Sequence, residues 1–219
     1  MMKWSVNDIL YEDAQILVCR KHSGIAVQSA RIGQMDLESE LRNYLKGNFV
    51  GIVQRLDQPV EGVLVFGKTP QATADLNKQH QNGTMKKEYL AVCTGTPTAE
   101  WKGTWEDYLA KDGKNNCSKI VKKGDPQGKK AVLDYEILEW KEGKGKVRIY
   151  LKTGRHHQIR VQMAHHGMPL WADGKYKKDL LPQETGTAIG LCAYRLEFLH
   201  PKTGKKMQFE TIPEGECFR

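Results

Sequence analysis

Short apolar runs separated by turn-forming clusters dominate this chain, and they predict more strands than helices. Ile16-Leu17-Val18-Cys19 reads as a buried strand, ended by the turn-forming cluster Arg20-Lys21-His22-Ser23-Gly24. Asp36 can cap a short surface helix in which Leu37, Leu41 and Leu45 recur at i, i+4 and i+8, with Gly47 just beyond. The glycine-bounded run Gly62-Val63-Leu64-Val65-Phe66-Gly67 predicts a strand. Thr69-Pro70 then opens a helix with a capping hydroxyl and a proline whose fixed φ suits the first turn, and that helix should run to about Asn82 and stop at Gly83. Residues 88–93 read as another buried strand, whereas 101–130, rich in Lys, Gly and Asn, predict short strands and exposed loops. Residues 131–138 and 146–151 carry enough β-branched and aromatic side chains to be strands. Ile159, Met163 and Gly167 outline a helix of two to three turns beginning near Gln158. Residues 191–198 and 206–210 flank the turn His200-Pro201-Lys202-Thr203-Gly204 as a hairpin.

Strands that follow one another directly point to an α+β fold on a mostly antiparallel mixed sheet with flanking helices and loops. No repeat, low-complexity tract or linker interrupts residues 1–219, so a single domain is expected. Composition agrees with a globular chain: 39% hydrophobic and 27% charged residues exclude disorder and collagen. The net charge of +8 is unevenly placed. Residues 1–50 hold six basic and six acidic side chains and residues 51–100 five of each, whereas 101–150 and 151–219 contribute +4 apiece. A basic second half makes a polyanion a plausible partner, although charge alone does not separate a binding surface from a merely solvated one. Five widely spaced cysteines without a C-x-x-C pair suit a reducing cytoplasm, and no apolar run is long enough to span a bilayer.

Two segments are dense in chemistry. Val53-Gln54-Arg55-Leu56-Asp57-Gln58-Pro59-Val60-Glu61-Gly62 sets Arg55 and Asp57 two apart just before a strand; in extended backbone both point to one side. Lys152, Arg155 and Arg160 fall within nine residues with no acidic neighbour in sequence, next to a helix start whose free N–H groups attract anions. The pairs His156-His157 and His165-His166 lack H-E-x-x-H spacing and a cysteine pair, so no metal is expected. The glycines near Gly143 and Gly145 form neither a P-loop nor G-x-G-x-x-G, and no G-x-S-x-G elbow is present.

In order, the chain carries R-L-D-x-x-x-x-G before an apolar strand, then K-K-E-Y-L-A, T-G-R-x-H-Q-I-R and H-P-x-T-G, with Gly128-Lys129-Lys130-Ala131 leading into a strand. This series resembles the RluA-type pseudouridine synthases over nearly the whole chain. The resemblance implies an isomerase that converts uridine to pseudouridine in ribosomal or transfer RNA without metal or cofactor, in the cytoplasm, as a monomer with no obligate protein partner. It implies Asp57 as the essential aspartate, Tyr89 as the active-site tyrosine, Arg160 as the basic partner of the aspartate, and Arg55 as the arginine that contacts the flipped-out RNA. Arg155, His157 and Lys152, with the lysines of 111–130, would then meet substrate and its phosphates. An N-terminal S4-like extension is not expected, since the match begins almost at Met1.

Several positions depart from the family pattern. Gln54 replaces a histidine, Glu61 a small hydroxyl, and Gln162 a frequent histidine. Lys21-His22-Ser23-Gly24 stands for K-P-x-G, and Ala172 for a glycine before Asp173-Gly174-Lys175-Tyr176. These departures keep two alternatives open: an RNA-binding protein of the same fold without catalytic activity, and a glycoside hydrolase with Glu61 as the required second carboxylate.

Overall fold

The computed structural model describes residues 4–29, 35–97 and 100–219. The chain divides into two compact units, one comprising Met1–Lys87 and Cys192–Pro213, the other Glu88–Leu191 and Glu214–Arg219.

The first unit is built on β1 (Ile9–Glu12), β2 (Ile16–Lys21), α1 (Leu37–Tyr44), β3 (Gly51–Ile52), β4 (Glu61–Gly67) and α2 (Pro70–Gln81). Strand β4 is buried along its whole length, as its uninterrupted apolar run requires. It pairs antiparallel with β2 and β3. The capping residues act as their chemistry dictates: the Asp36 carboxylate accepts from the Ser39 N–H, and the Thr69 hydroxyl from the Ala72 N–H. Gly83, at φ +75°, takes the left-handed conformation just past α2. A core of Ile16, Val18, Val53, Val63, Val65, Leu76 and Phe198 fills this unit.

The second unit is formed by β5 (Lys86–Thr94), β6 (Lys102–Asp112), β7 (Cys117–Val121), β8 (Lys129–Lys141), β9 (Lys144–Leu151) and α3 (Gln158–His165). The strand order β5-β9-β8-β6-β7 is antiparallel throughout. Leu109, Ala131 and Val161 bring β6, β8 and α3 together, with Ile120 and Tyr176 packed against them. The chain returns to the first unit within β10 (Leu191–Leu199), which pairs parallel with β4 and then antiparallel with β11 (Lys206–Glu210) across the expected hairpin.

The fold is therefore the expected α+β mixed sheet, with two local corrections. Strand β2 continues through Arg20 and Lys21, which pair with Val63 and Gly62 on β4, so the turn begins only at His22. Residues 102–112 form one long strand rather than short pieces, because β6 is paired along one side with β8 and along part of the other with β7.

Candidate active site

In the first unit, Asp57 sits in a turn laced to a second turn by main-chain hydrogen bonds. The Val60 N–H donates to the Asp57 carbonyl at 3.0 Å, and the Gly24 N–H to the Gln58 carbonyl at 2.8 Å. The Gln58 amide donates to the Gly24 carbonyl and the Ser23 hydroxyl to the Pro59 carbonyl. Lys21 ties these together. Its ammonium, fully buried, donates to the carbonyls of His22 (3.1 Å), Ile25 (2.6 Å) and Gln58 (3.1 Å), which uses all three of its protons. Burial pushes its pKa down to about 7, against the pull of the Asp57 and Glu61 carboxylates toward the charged form. His22, where the family has proline, binds the buried Asp8 carboxylate through Nε2 at 2.9 Å.

The entry to the turn is held from another direction. Lys87 Nζ lies 2.9 Å from His80 Nε2, and His80 Nδ1 lies 3.3 Å from the Val53 carbonyl. An ammonium only donates, so Nε2 accepts and the proton on Nδ1 points at Val53. Burial lowers both pKa values, that of Lys87 to about 8, and the ammonium beside it further disfavours a charged His80. The exit requires glycine: Gly62 has φ +139°, and a Cβ there would lie 2.5 Å from the Ala193 carbonyl oxygen. Asp57 is half-buried and Arg55 exposed.

In the second unit, Tyr89 is buried on β5 opposite Ile149 of β9. Arg160, also buried, makes a forked pair with Asp173: Nε to Oδ2 at 2.8 Å and Nη2 to Oδ1 at 2.6 Å. His157, the left-handed residue that starts α3, places Nε2 3.5 Å from Arg160 Nη1 and Nδ1 2.8 Å from the Tyr176 hydroxyl. That hydroxyl also accepts the Ser118 N–H at 2.7 Å, and burial raises its pKa to about 12. Beside it the His156 and His157 rings stack 3.8 Å apart. Arg160 and His157 thus share one network with Asp173 and Tyr176.

The cluster of cations expected to be uncompensated is partly neutralised by residues far away in sequence. Lys152 pairs with Asp134 at 2.7 Å and Arg160 with Asp173, while exposed Arg155 donates from Nε to the Lys130 carbonyl. Every lysine from Lys111 to Lys130 is exposed. Sequence reading passed over Lys21, His80, Lys87 and Tyr176 as site-forming residues. A lysine normally reads as surface, and only the likeness of Lys21-His22-Ser23-Gly24 to K-P-x-G set the 21–24 segment apart.

The fold matches that of two human proteins titled RNA Pseudouridylate Synthase Domain Containing 4 and Domain Containing 1. Their TM-scores are 0.79 and 0.77 at 19% and 21% identity, with 95% and 97% of this chain and 89% and 86% of those chains covered. The profile of the RNA pseudouridylate synthase family matches residues 15–165, and the chain belongs to this family. It is 34% identical over 210 residues to ribosomal large subunit pseudouridine synthase C of Buchnera aphidicola subsp. Schizaphis graminum, covering 92% of this chain and 66% of that protein. It is 33% identical over 220 residues to ribosomal large subunit pseudouridine synthase D of Neisseria meningitidis serogroup B, covering 93% and 57%. The chain thus spans somewhat over half to two thirds of the length of these relatives. No helix among the described residues is long and apolar enough to cross a membrane.

Proposed function

We propose that this protein converts uridine to pseudouridine in ribosomal RNA, working in the cytoplasm without metal or cofactor in the reaction, and that Asp57 is its essential residue. The reading rests chiefly on one observation: the R-L-D turn of this family is intact and its Asp57 is held by a fully buried lysine that bonds the neighbouring backbone.

In the isomerisation the N1–C1′ bond of uridine breaks, a C1′–C5 bond forms, C5 loses a proton and N1 gains one. Bond cleavage builds positive charge on the ribose, and the Asp57 carboxylate would stabilise it, attack C1′ or remove the C2′ proton. Tyr89 would offer the detached uracil an aromatic face and a phenol for the proton transfer. Arg160, its guanidinium oriented by Asp173, would favour the ionised aspartate. The base must leave its stack first, and the exposed Arg55 suits the space it vacates. Lys152, Arg155, His157 and the exposed lysines of 111–130 would contact the RNA, mostly at phosphates.

The test is carbodiimide-based pseudouridine mapping of ribosomal and transfer RNA from cells with and without the gene. Loss of one or more ribosomal sites, restored by the wild-type gene, is expected. Loss confined to transfer RNA would reassign the substrate, and an unchanged map accompanied by RNA binding in vitro would favour the non-catalytic alternative.

A further inference from the structure

Sequence spacing offers no third ligand to the His165-His166 pair, but the fold supplies one. Strand β6 brings Asp107 to the last turn of α3, where the ligand atoms of Asp107, His165 and His166 all lie within 4.8 Å of one another. His166 Nε2 is already 3.0 Å from Asp107 Oδ2. Bonds of about 2.0–2.1 Å to a tetrahedral ion set neighbouring donors about 3.3 Å apart, so this edge needs almost no adjustment. The His166 ring is fixed by Trp105, which stacks on it at 4.1 Å and 10°. His165 is exposed, and turning its side chain closes the remaining distance.

A second contact fixes the carboxylate. Gln162, one turn earlier on α3, has no exposed surface, and its Nε2 donates to Asp107 Oδ2 at 2.7 Å. The Oε1 of the same amide is buried and has no hydrogen-bond partner.

We propose that Asp107, His165 and His166 form a site for a borderline divalent transition cation. Two imidazoles with oxygen donors favour Zn²⁺ over Mg²⁺ or Ca²⁺, which prefer all-oxygen shells. The ion would staple the end of α3, the helix that carries Arg160, to β6. Its role is structural, and it reverses the expectation of no metal drawn from spacing alone.

The test is calorimetric titration of the full chain with Zn²⁺ and with Co²⁺, alongside thermal melts. The wild type should bind one equivalent and melt at a higher temperature with the ion. His165→Ala, at an exposed position, should melt like the wild type without the ion yet bind at least tenfold more weakly and gain no thermal protection. Asp107→Asn should also weaken binding. Absence of saturable one-to-one binding, unchanged affinity in His165→Ala, or a loss seen only in His156→Ala would overturn the proposal and leave a plain His166–Asp107 ion pair.

Discussion

The two units hold their candidate residues by opposite means. In the first, the bonds that lace the turn bearing Asp57 end on main-chain acceptors: one ammonium and one N–H converge on the Gln58 carbonyl, and others reach carbonyls of residues 22–25 and 57–59. In the second, Arg160 is fixed by side chains, Asp173, His157 and Tyr176, drawn from separate segments. Main-chain acceptors are present whatever the residue, so the first arrangement tolerates the departure at His22, whose carbonyl is what Lys21 uses. A side-chain network depends on the identity of each member. Charge does not divide the units as it divides the sequence. The first has 15 basic and 11 acidic side chains and the second 19 and 15, so each carries +4: residues 192–213 bring a net +2 to the first unit, while Glu88 and Glu100 from the neutral first hundred residues belong to the second.

The largest effect is expected where a buried charge would lose its partner. Asp173→Asn leaves the Arg160 guanidinium buried opposite a neutral amide and should cost about 3–5 kcal/mol in urea unfolding. The double variant Asp173→Asn with Arg160→Met should recover part of that loss, since it removes the unpaired charge.

Lys21→Met comes next, at about 1–3 kcal/mol, because it keeps the volume but strands the His22 and Ile25 carbonyls and takes one of two donors from that of Gln58. It also carries a pH signature. The folded-state pKa of Lys21, about 7, lies below its ordinary 10.5, so the folded chain releases this proton first and the lysine makes stability rise with pH between those values. Unfolding midpoints measured at pH 7 and pH 9.5 should show a steeper rise in the wild type than in Lys21→Met. Equal slopes would show that Lys21 keeps an ordinary lysine pKa in the folded chain.

Ala172 adopts φ +56° immediately before Asp173, a conformation that disfavours any residue with a Cβ. Ala172→Gly should therefore stabilise the protein by about 0.5–1 kcal/mol despite the entropy glycine adds to the unfolded chain.

The smallest effect on stability belongs to Lys152→Ala, whose exposed pair with Asp134 contributes within about 0.5 kcal/mol. RNA binding is where this variant should register. Removing one phosphate contact should lower the slope of log affinity against log salt by about 1, whereas an unchanged slope would confine Lys152 to its ion pair.

Much of the architecture was legible because it is written locally. The apolar run of β4, the Thr69-Pro70 start of α2 and the hairpin turn at residues 200–204 each carry their signal within a dozen residues. The end of β2 was not legible, since Arg20 and Lys21 look like turn residues until β4 pairs with them. In β6 the alternation of Trp105 and Leu109 with charged neighbours is diluted by outward-facing Lys102, Thr104 and Glu106. Asp57, Tyr89 and Arg160 stood out only through the ordered motifs. The groups that hold two of them, Lys21 for the Asp57 turn and Asp173 for Arg160, lie 36 and 13 residues away, and no local pattern reveals a pairing made by the tertiary fold.

The central claim is that Asp57 drives the isomerisation. Purified wild type and Asp57→Asn, matched for melting temperature, should be incubated with unmodified ribosomal RNA and the pseudouridine formed counted by mass spectrometry. Conversion by the wild type with at least a ~10⁴-fold loss in Asp57→Asn is the expected result; comparable conversion by the two proteins would contradict it.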